Sequence, residues 1–315
     1  MKTPKHWNHK GCAAYMLWPL GLLYGTATLL RQTIKKPRKV SAKVICIGNL
    51  TAGGTGKTPV SVSIAALLQQ HAKKVCFLTR GYGGKSQNIM VEAHHQATEV
   101  GDEPLILARQ APVMVNKNRA EGAKQIIKTE AEYIIMDDGF QNPSLHKDAS
   151  LLVIDGEAGF GNGFCIPAGP LREFQNQGLK RAQGIILLGD DKHNLCANIK
   201  HIPIFKGKVV PQSPQTTDQN VVAFAGIGRP EKFYNSLKSC NMNVVKTFDF
   251  PDHYFYQKND IEKLLAAAKE HNAVLYTTAK DIVKIPTELR TSFNVLEIAI
   301  EWENQQALSD FLLSL

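Results

Sequence analysis

The chain has 315 residues, 43% of them hydrophobic and 21% charged. This balance excludes a fibrous, collagen-like or disordered chain and suffices for one large domain or two moderate ones. The net charge of +9 is lopsided, because residues 1–91 hold 14 Lys or Arg and no Asp or Glu, while the remainder carries 23 bases against 28 acids. A basic N-terminus faces either nucleic acid or an anionic membrane, and the sequence around it has to decide. The six cysteines form no CxxC pair and no zinc-type spacing with His. Cys46 and Cys76 lie inside apolar runs, so free thiols in a reducing compartment are expected.

Residues 12–30 contain no charge, with Lys2, Lys5 and Lys10 before them and Arg31, Lys35, Lys36, Arg38 and Lys39 after. A cleaved signal peptide with Gly25-Thr26-Ala27 as its processing site, a spanning helix, and a helix lying in a membrane interface all fit that outline. Export conflicts with the nucleotide motif that follows. Pro19, Gly21, Gly25 and basic residues at both ends weaken a spanning reading. An interfacial or shallowly inserted helix is expected, with a core helix as the alternative. Residues 1–40 lack the interleaved aromatic platforms of a single-strand binder, so nucleic acid is not an expected partner.

Apolar runs at 44–47, 75–78, 133–136, 151–154 and 185–188, and later at 221–225, 274–276 and 295–300, read as buried strands. Helical stretches at 59–70, 103–109, 120–129 and 260–270 alternate with them. The pattern predicts an α/β fold with a mostly parallel sheet covered by helices on both faces. The polar stretch 211–220, PQSPQTTDQN, is the best linker. It divides a nucleotide-binding domain, 41–215, from a second, smaller α/β domain, 216–315, behind a membrane-associated segment, 1–40.

The strongest motif runs from Gly48 to Pro59, GNLTAGGTGKTP, between a predicted strand and a predicted helix. Its backbone amides would wrap phosphates, Lys57 would neutralise the β/γ oxygens, and the Thr58 hydroxyl would reach Mg²⁺. Thr51 stands where the strict pattern has Gly. The segment 116–119, NKNR, lacks the Asp of a guanine reader, so ATP is favoured. Ala52 stands where dimerising partition-type ATPases carry Lys. The run at 133–136 ends in Asp137-Asp138, which matches a strand-end acid beside a phosphate loop, with one carboxylate holding Mg²⁺. Gly101-Asp102-Glu103-Pro104 reads by itself as a helix cap, and Asp252-His253 as a lone surface pair.

Beyond GNLTAGGTGKTP, the chain holds RGYGG (80–84), GDEP (101–104), DDGFQ (137–141), PAGPLRE (167–173), FAGIGRPEKF (224–233), FPDHY (250–254) and TTAKD (277–281). In this order the segments resemble the tetraacyldisaccharide 4'-kinase family, the lipid A 4'-kinases, over about residues 15–300. The resemblance implies a P-loop fold and transfer of the ATP γ-phosphate to the 4'-hydroxyl of a tetraacyl glucosamine disaccharide 1-phosphate. It implies Asp102 as catalytic base, tuned by His253 from the second domain, with Lys57 on the phosphates. Residues 51–58, that is Thr51, Ala52, Gly53, Gly54, Thr55, Gly56, Lys57 and Thr58, would hold the nucleotide together with Tyr82. Thr58, Glu103, Asp137, Asp138 and Gln141 would surround Mg²⁺, and Asn49, Arg119, Arg172 and Glu173 would serve the substrate. Ala279 stands where an acid is expected in TTAKD. A monomer is expected, on the cytoplasmic face of the inner membrane of a Gram-negative bacterium. A soluble kinase of a small metabolite and a membrane-associated ATPase switch are the competing readings.

Overall fold

A computed structural model describes residues 4–212 and 219–315. The strands, in chain order, are β1 (Lys43–Gly48), β2 (Val75–Thr79), β3 (Ile89–Met90), β4 (Val113–Val115), β5 (Tyr133–Asp137), β6 (Ala149–Asp155), β7 (Gly184–Leu188), β8 (Ile204–Pro211), β9 (Asn220–Ala225), β10 (Asn243–Asp249), β11 (Ala273–Thr278), β12 (Asn294–Leu296) and β13 (Ile298–Trp302). Among the described residues they form two sheets. One has nine strands in the order β13-β8-β7-β6-β1-β5-β2-β4-β3, the other four in the order β10-β9-β11-β12. The large sheet is parallel except where β3 meets β4 and β13 meets β8 at its edges. The small sheet is wholly parallel.

The central strands are the apolar runs seen in the sequence, because both of their faces are covered. Helices Lys57–Gln70 and Gln305–Leu313 cover one face, where Ile64 and Leu308 meet Ile45, Phe77 and Ile135. Helix Arg119–Ile127 covers the other, where Ala123 and Ile126 join Val44, Cys46 and Ile134. β1 lies between β5 and β6, so the loop after it opens at the centre of the sheet's carboxyl edge. In such sheets ligands bind beyond the carboxyl ends of the central strands.

The run 295–300 is not one strand. β12 ends at Leu296 in the small sheet, and β13 begins at Ile298 in the large one. Between them Glu297 turns outward to Arg109, 3.0 Å away. The chain therefore returns to the large sheet, and Trp302 Nε1 donates to Ser63 Oγ at 2.9 Å. The predicted linker 211–220 overlaps the ends of β8 and β9, and its middle, 213–218, lies outside the described residues, as does the expected division at 215/216. Away from that linker the two sheets are tied at the end of β6, where Asp155 Oδ2 accepts from Arg229 Nη1 and Lys232 Nζ, each at 2.8 Å.

The N-terminal helix, Cys12–Ile34, runs 23 residues through Pro19 and is long and apolar enough to cross a membrane. It is not a core helix: only Ala14, Gly21 and Gly25 are buried, while Met16, Leu23 and Ile34 are more than two-thirds exposed. The glycines let it lie against 160–174. A Cβ on Gly25 would stand 2.6 Å from the Phe174 ring, and one on Gly21 2.8 Å from the Cys165 carbonyl oxygen. Upstream, Trp7 Nε1 donates to Pro167 O at 3.0 Å. Gly25→Leu is expected to destabilise by about 1–3 kcal/mol through overpacking, read as a lower Tm and faster proteolysis within the helix. Leu23→Ala, on the exposed face, is expected to leave Tm unchanged.

Candidate active site

The phosphate loop is built by register. Ile47 of β1 pairs with Asp137 of β5, and the Asp138 N–H donates to Ile47 O at 3.0 Å. The loop after β1 and the acids after β5 therefore leave the sheet side by side. Gly48 has to be glycine because a Cβ there would collide with that of Phe140. Gly56, at φ +86°, turns the chain into the helix that Lys57 and Thr58 begin. A Cβ on Gly53 or Gly54 would meet nothing within 4 Å, so the loop faces open space of the kind a phosphate chain needs. Asn49 is fully buried and braces the loop from inside, its Nδ2 donating to Thr51 O at 2.7 Å and Thr55 Oγ1 at 3.2 Å.

The strand-end acids are held differently. Asp138, in left-handed backbone at φ +48°, accepts from Arg172 Nη1 at 2.9 and 3.2 Å and lies 3.6 Å from Lys57 Nζ. Burial pushes its carboxyl up, but Lys57 and Arg172 outweigh this and hold it below the usual range. Asp137 is buried and accepts from Ser61 Oγ at 2.9 Å. Burial, and then the charge of Glu103, push it up to about 7.

Asp102 opens the short helix Asp102–Leu107 and is 4% exposed. Its Oδ1 accepts from the Glu103 N–H, and its Oδ2 from His253 Nδ1, each at 2.9 Å. Burial raises this carboxyl, but the His253 hydrogen bond and the Lys280 charge bring it net below the usual range. The same bond raises His253. His253 sits after β10 in left-handed backbone, φ +59°, with the Tyr82 ring 5.0 Å from its own. Beside this pair Lys280 Nζ, from the small-sheet unit, donates to Glu103 Oε1 at 2.7 Å. Adjacent acids on one short helix are thus each met by a base from the other sheet.

On the far side of the loop, Gln141 Nε2 donates to Asn49 O at 2.9 Å and Glu173 Oε1 at 3.0 Å, which leaves only its carbonyl oxygen for a cation. Glu173 is buried and paired with Arg181. Arg119 is 3% exposed, donates to Asn116 O at 2.6 Å, and leaves its Nε without a partner. Burial, then Arg80, lower its guanidinium to about 10. A buried guanidinium with a free N–H and, among the described residues, no ion-pair carboxylate suits an anion.

Asp137, Asp138, Gln141, Arg172 and Glu173 thus lie beside the phosphate loop or its immediate partners, Glu103 and Arg119 act on the strand-end acids by charge, and His253 joins Asp102 and Tyr82 from the small-sheet unit. Among the described residues no three His, Cys, Asp or Glu side chains form a ready-made cation cage. That suits Mg²⁺, which keeps waters and phosphate oxygens as ligands and takes one or two carboxylates from a protein. Nucleotide and Mg²⁺ fit this donor set: an open glycine cradle, the Thr58 hydroxyl, and a buried acid whose raised affinity for a proton a metal cation would replace.

Two residues escaped the sequence reading. Lys280 belongs to TTAKD but gave no sign of its role, because its partner Glu103 is 177 residues away. Ser61 lies one helical turn after Lys57, so its reach to Asp137 was available from the spacing. In the same TTAKD segment, Asp281 is buried against Lys284 at 2.9 Å and accepts from Tyr256 OH at 2.8 Å, which anchors the segment.

A model of the family described as Tetraacyldisaccharide-1-P 4'-kinase matches residues 13–315. A Tetraacyldisaccharide 4'-kinase of Paramagnetospirillum magneticum is 43% identical over 98% of this chain and 97% of its own. One of Parvibaculum lavamentivorans is 46% identical over 90% and 87%. Among solved structures, LpxK from Aquifex aeolicus, crystallised in complex with ATP, superposes with a TM-score of 0.77 at 26% identity. That match covers 96% of this chain and 98% of the other.

Proposed function

The chain belongs to the tetraacyldisaccharide 4'-kinase family, and from that membership we propose which of its residues carry the reaction. It is an ATP-dependent kinase that phosphorylates the 4'-position of the lipid A precursor. The lipid disaccharide is its acceptor, and ATP with Mg²⁺ its phosphate source.

The observation that carries the residue assignment is Asp102. Its buried carboxylate is fixed by His253 and next in sequence to Glu103, whose charge acts on Asp137 beside the phosphate loop. In the proposed reaction a lone pair of the 4'-oxygen forms a bond to the γ-phosphorus, the bond from that phosphorus to the β–γ bridging oxygen breaks, and ADP leaves. The hydroxyl proton passes to Asp102. His253 donates to Asp102 Oδ2 and so aims the carboxylate. Lys57 and Arg172, both on Asp138 here, would turn to the charge on the transferring phosphoryl group, and Arg119 would offer its free Nε–H. Thr58 and Asp137 would hold Mg²⁺, with Glu103, Asp138 and Gln141 around it, and the cation would supply charge neutralisation at the transferring phosphate. Asn49, fully buried, would serve the reaction by bracing the loop, Glu173 would hold Gln141 on the acceptor side, and Tyr82 would frame the nucleotide side. All these groups come from one chain, so a monomer suffices.

The exposed apolar face of Cys12–Ile34, flanked by basic residues, supports attachment to the cytoplasmic face of the inner membrane, where ATP and the growing lipid meet. Removing residues 1–35 is expected to abolish pelleting with anionic vesicles. Undiminished pelleting would discard that role for the helix. Lys280→Met is expected to lower kcat roughly tenfold with ATP KM unchanged, because Glu103 loses its buried partner and shifts against Asp102. Lys280→Arg is expected to restore most of it. The function itself is tested by incubating the enzyme with γ-labelled ATP and tetraacyl disaccharide 1-phosphate. Label on the 4'-oxygen is expected. ATP hydrolysis with no label in the lipid would leave an ATPase switch instead.

A further inference from the structure

Three neighbouring strands of the small sheet, β10, β9 and β11, are each followed by a base that reaches an acid of the large-sheet unit. His253 after β10 meets Asp102 at 2.9 Å, Lys280 after β11 meets Glu103 at 2.7 Å, and Arg229 after β9 meets Asp155 at 2.8 Å. The first two contacts lie in the proposed active site. The third, from the middle strand, has no part in the reaction as assigned above.

Asp155 is the last residue of β6, the strand beside β1, and its side chain is 7% exposed. Its Oδ1 accepts from the Glu157 N–H at 3.1 Å, and its Oδ2 accepts from both Arg229 Nη1 and Lys232 Nζ at 2.8 Å. Burial pushes this carboxyl up, but the Lys232 hydrogen bond and the charges of Lys232 and Arg229 bring it net below the usual range. A buried carboxylate held by two cations is a stiff link, costly to break from either side.

The link is coupled to His253 through the small-sheet unit. Arg229 precedes, and Lys232 belongs to, helix Pro230–Ser239. The Tyr234 hydroxyl of that helix donates at 2.7 Å to Asp249 Oδ1, on the last residue of β10 and four residues before His253. The loop ahead of the helix is packed against the same segment. A Cβ on Gly226 would stand 3.0 Å from Pro251 O, and one on Gly228 3.8 Å from Asp252 Oδ2. The Phe250 N–H donates to Ala225 O at 2.9 Å. Displacing Arg229 therefore displaces residues 249–253, and with them the imidazole that aims Asp102. A shift on the order of 1 Å in such a group can cost up to about 10²-fold in rate.

We propose that Asp155 is a positioning residue for phosphoryl transfer, acting through Arg229 and Lys232 to set His253 against Asp102. The inference rests on the base assigned above.

The test uses full-length Asp155→Asn, His253→Ala and the double variant, compared by single-turnover transfer from γ-labelled ATP. Asp155→Asn is expected to slow transfer roughly tenfold, by no more than His253→Ala does, with ATP KM within about twofold of wild type. In the His253→Ala background it is expected to add less than about twofold. The His253 imidazole, titrated by NMR, is expected to have a lower midpoint in Asp155→Asn than in wild type, because its bond to Asp102 raises it. The groups facing that ring, Asp102, Asp252, Lys280 and Tyr82, are unaltered in this variant. Arg229→Gln, at a part-exposed position, is expected to show the same pattern in smaller measure with wild-type Tm, which covers the case in which Asp155→Asn folds poorly. Equal slowing with and without His253, or wild-type transfer in both Asp155→Asn and Arg229→Gln beside a slow His253→Ala, would overturn the proposal alone. Wild-type transfer in His253→Ala would remove the base assignment, and the proposal with it.

Discussion

Asp102→Ala is expected to lower kcat by roughly 10²–10⁴, the range of a positioned general base, while ATP KM stays within about twofold. The split follows from the geometry. Asp102 makes its bonds to His253 and to the Glu103 N–H, and neither partner is on the phosphate loop. Asp102→Asn keeps the acceptor for the Glu103 N–H but loses the proton-accepting charge, so it is expected to be nearly as slow. Steady-state kinetics with saturating acceptor, alongside nucleotide binding by calorimetry, check both values. Wild-type turnover in either variant would remove Asp102 from the chemistry.

Lys57→Ala is expected to cost roughly 10²–10³ in kcat/KM for ATP with any acceptor, comparable to losing one fixed donor on a developing charge. Lys57 begins the helix after the glycine turn, and its side chain is only 12% exposed, beside Asp138. Its removal takes away the phosphate's point charge and leaves Asp138 with Arg172 as its close cation. Lys57→Arg is expected to rescue little, because a planar fork does not reproduce a compact ammonium where the loop closes around phosphate. Competition of ATP against ADP for each variant, with transfer rates, separates binding from catalysis. An unchanged kcat/KM would mean that the loop holds something other than the reacting nucleotide.

Much of the large sheet could be read from the chain because burial on both faces writes itself as continuous apolar runs, as at β5 and β6. β10 was missed because it is a sheet edge whose residues alternate between exposed and half-buried, with Lys246 in the middle. β8 mixes lysines and a glycine among half-buried residues and gave no clean period. The run 295–300 misled for the opposite reason. Two strands of different sheets abut with only Glu297 between them, and apolar continuity cannot show a change of sheet. The phosphate loop was legible because its chemistry is contiguous. The Asp102–His253 bond spans 151 residues, so the residues alone offered a helix cap and a lone histidine. Only the ordered set of motifs joined them, and Lys280 stayed without a role until its distance to Glu103 could be seen.

The central claim is that two sheets jointly build one base, with His253 acting through Asp102 and not on its own account. Single-turnover transfer from bound γ-labelled ATP, measured for Asp102→Ala, His253→Ala and the double variant, tests this most directly. The double variant is predicted to react at the rate of Asp102→Ala, because the histidine has nothing left to orient. If removing His253 costs the same factor with and without Asp102, the two side chains work independently and the shared base is contradicted.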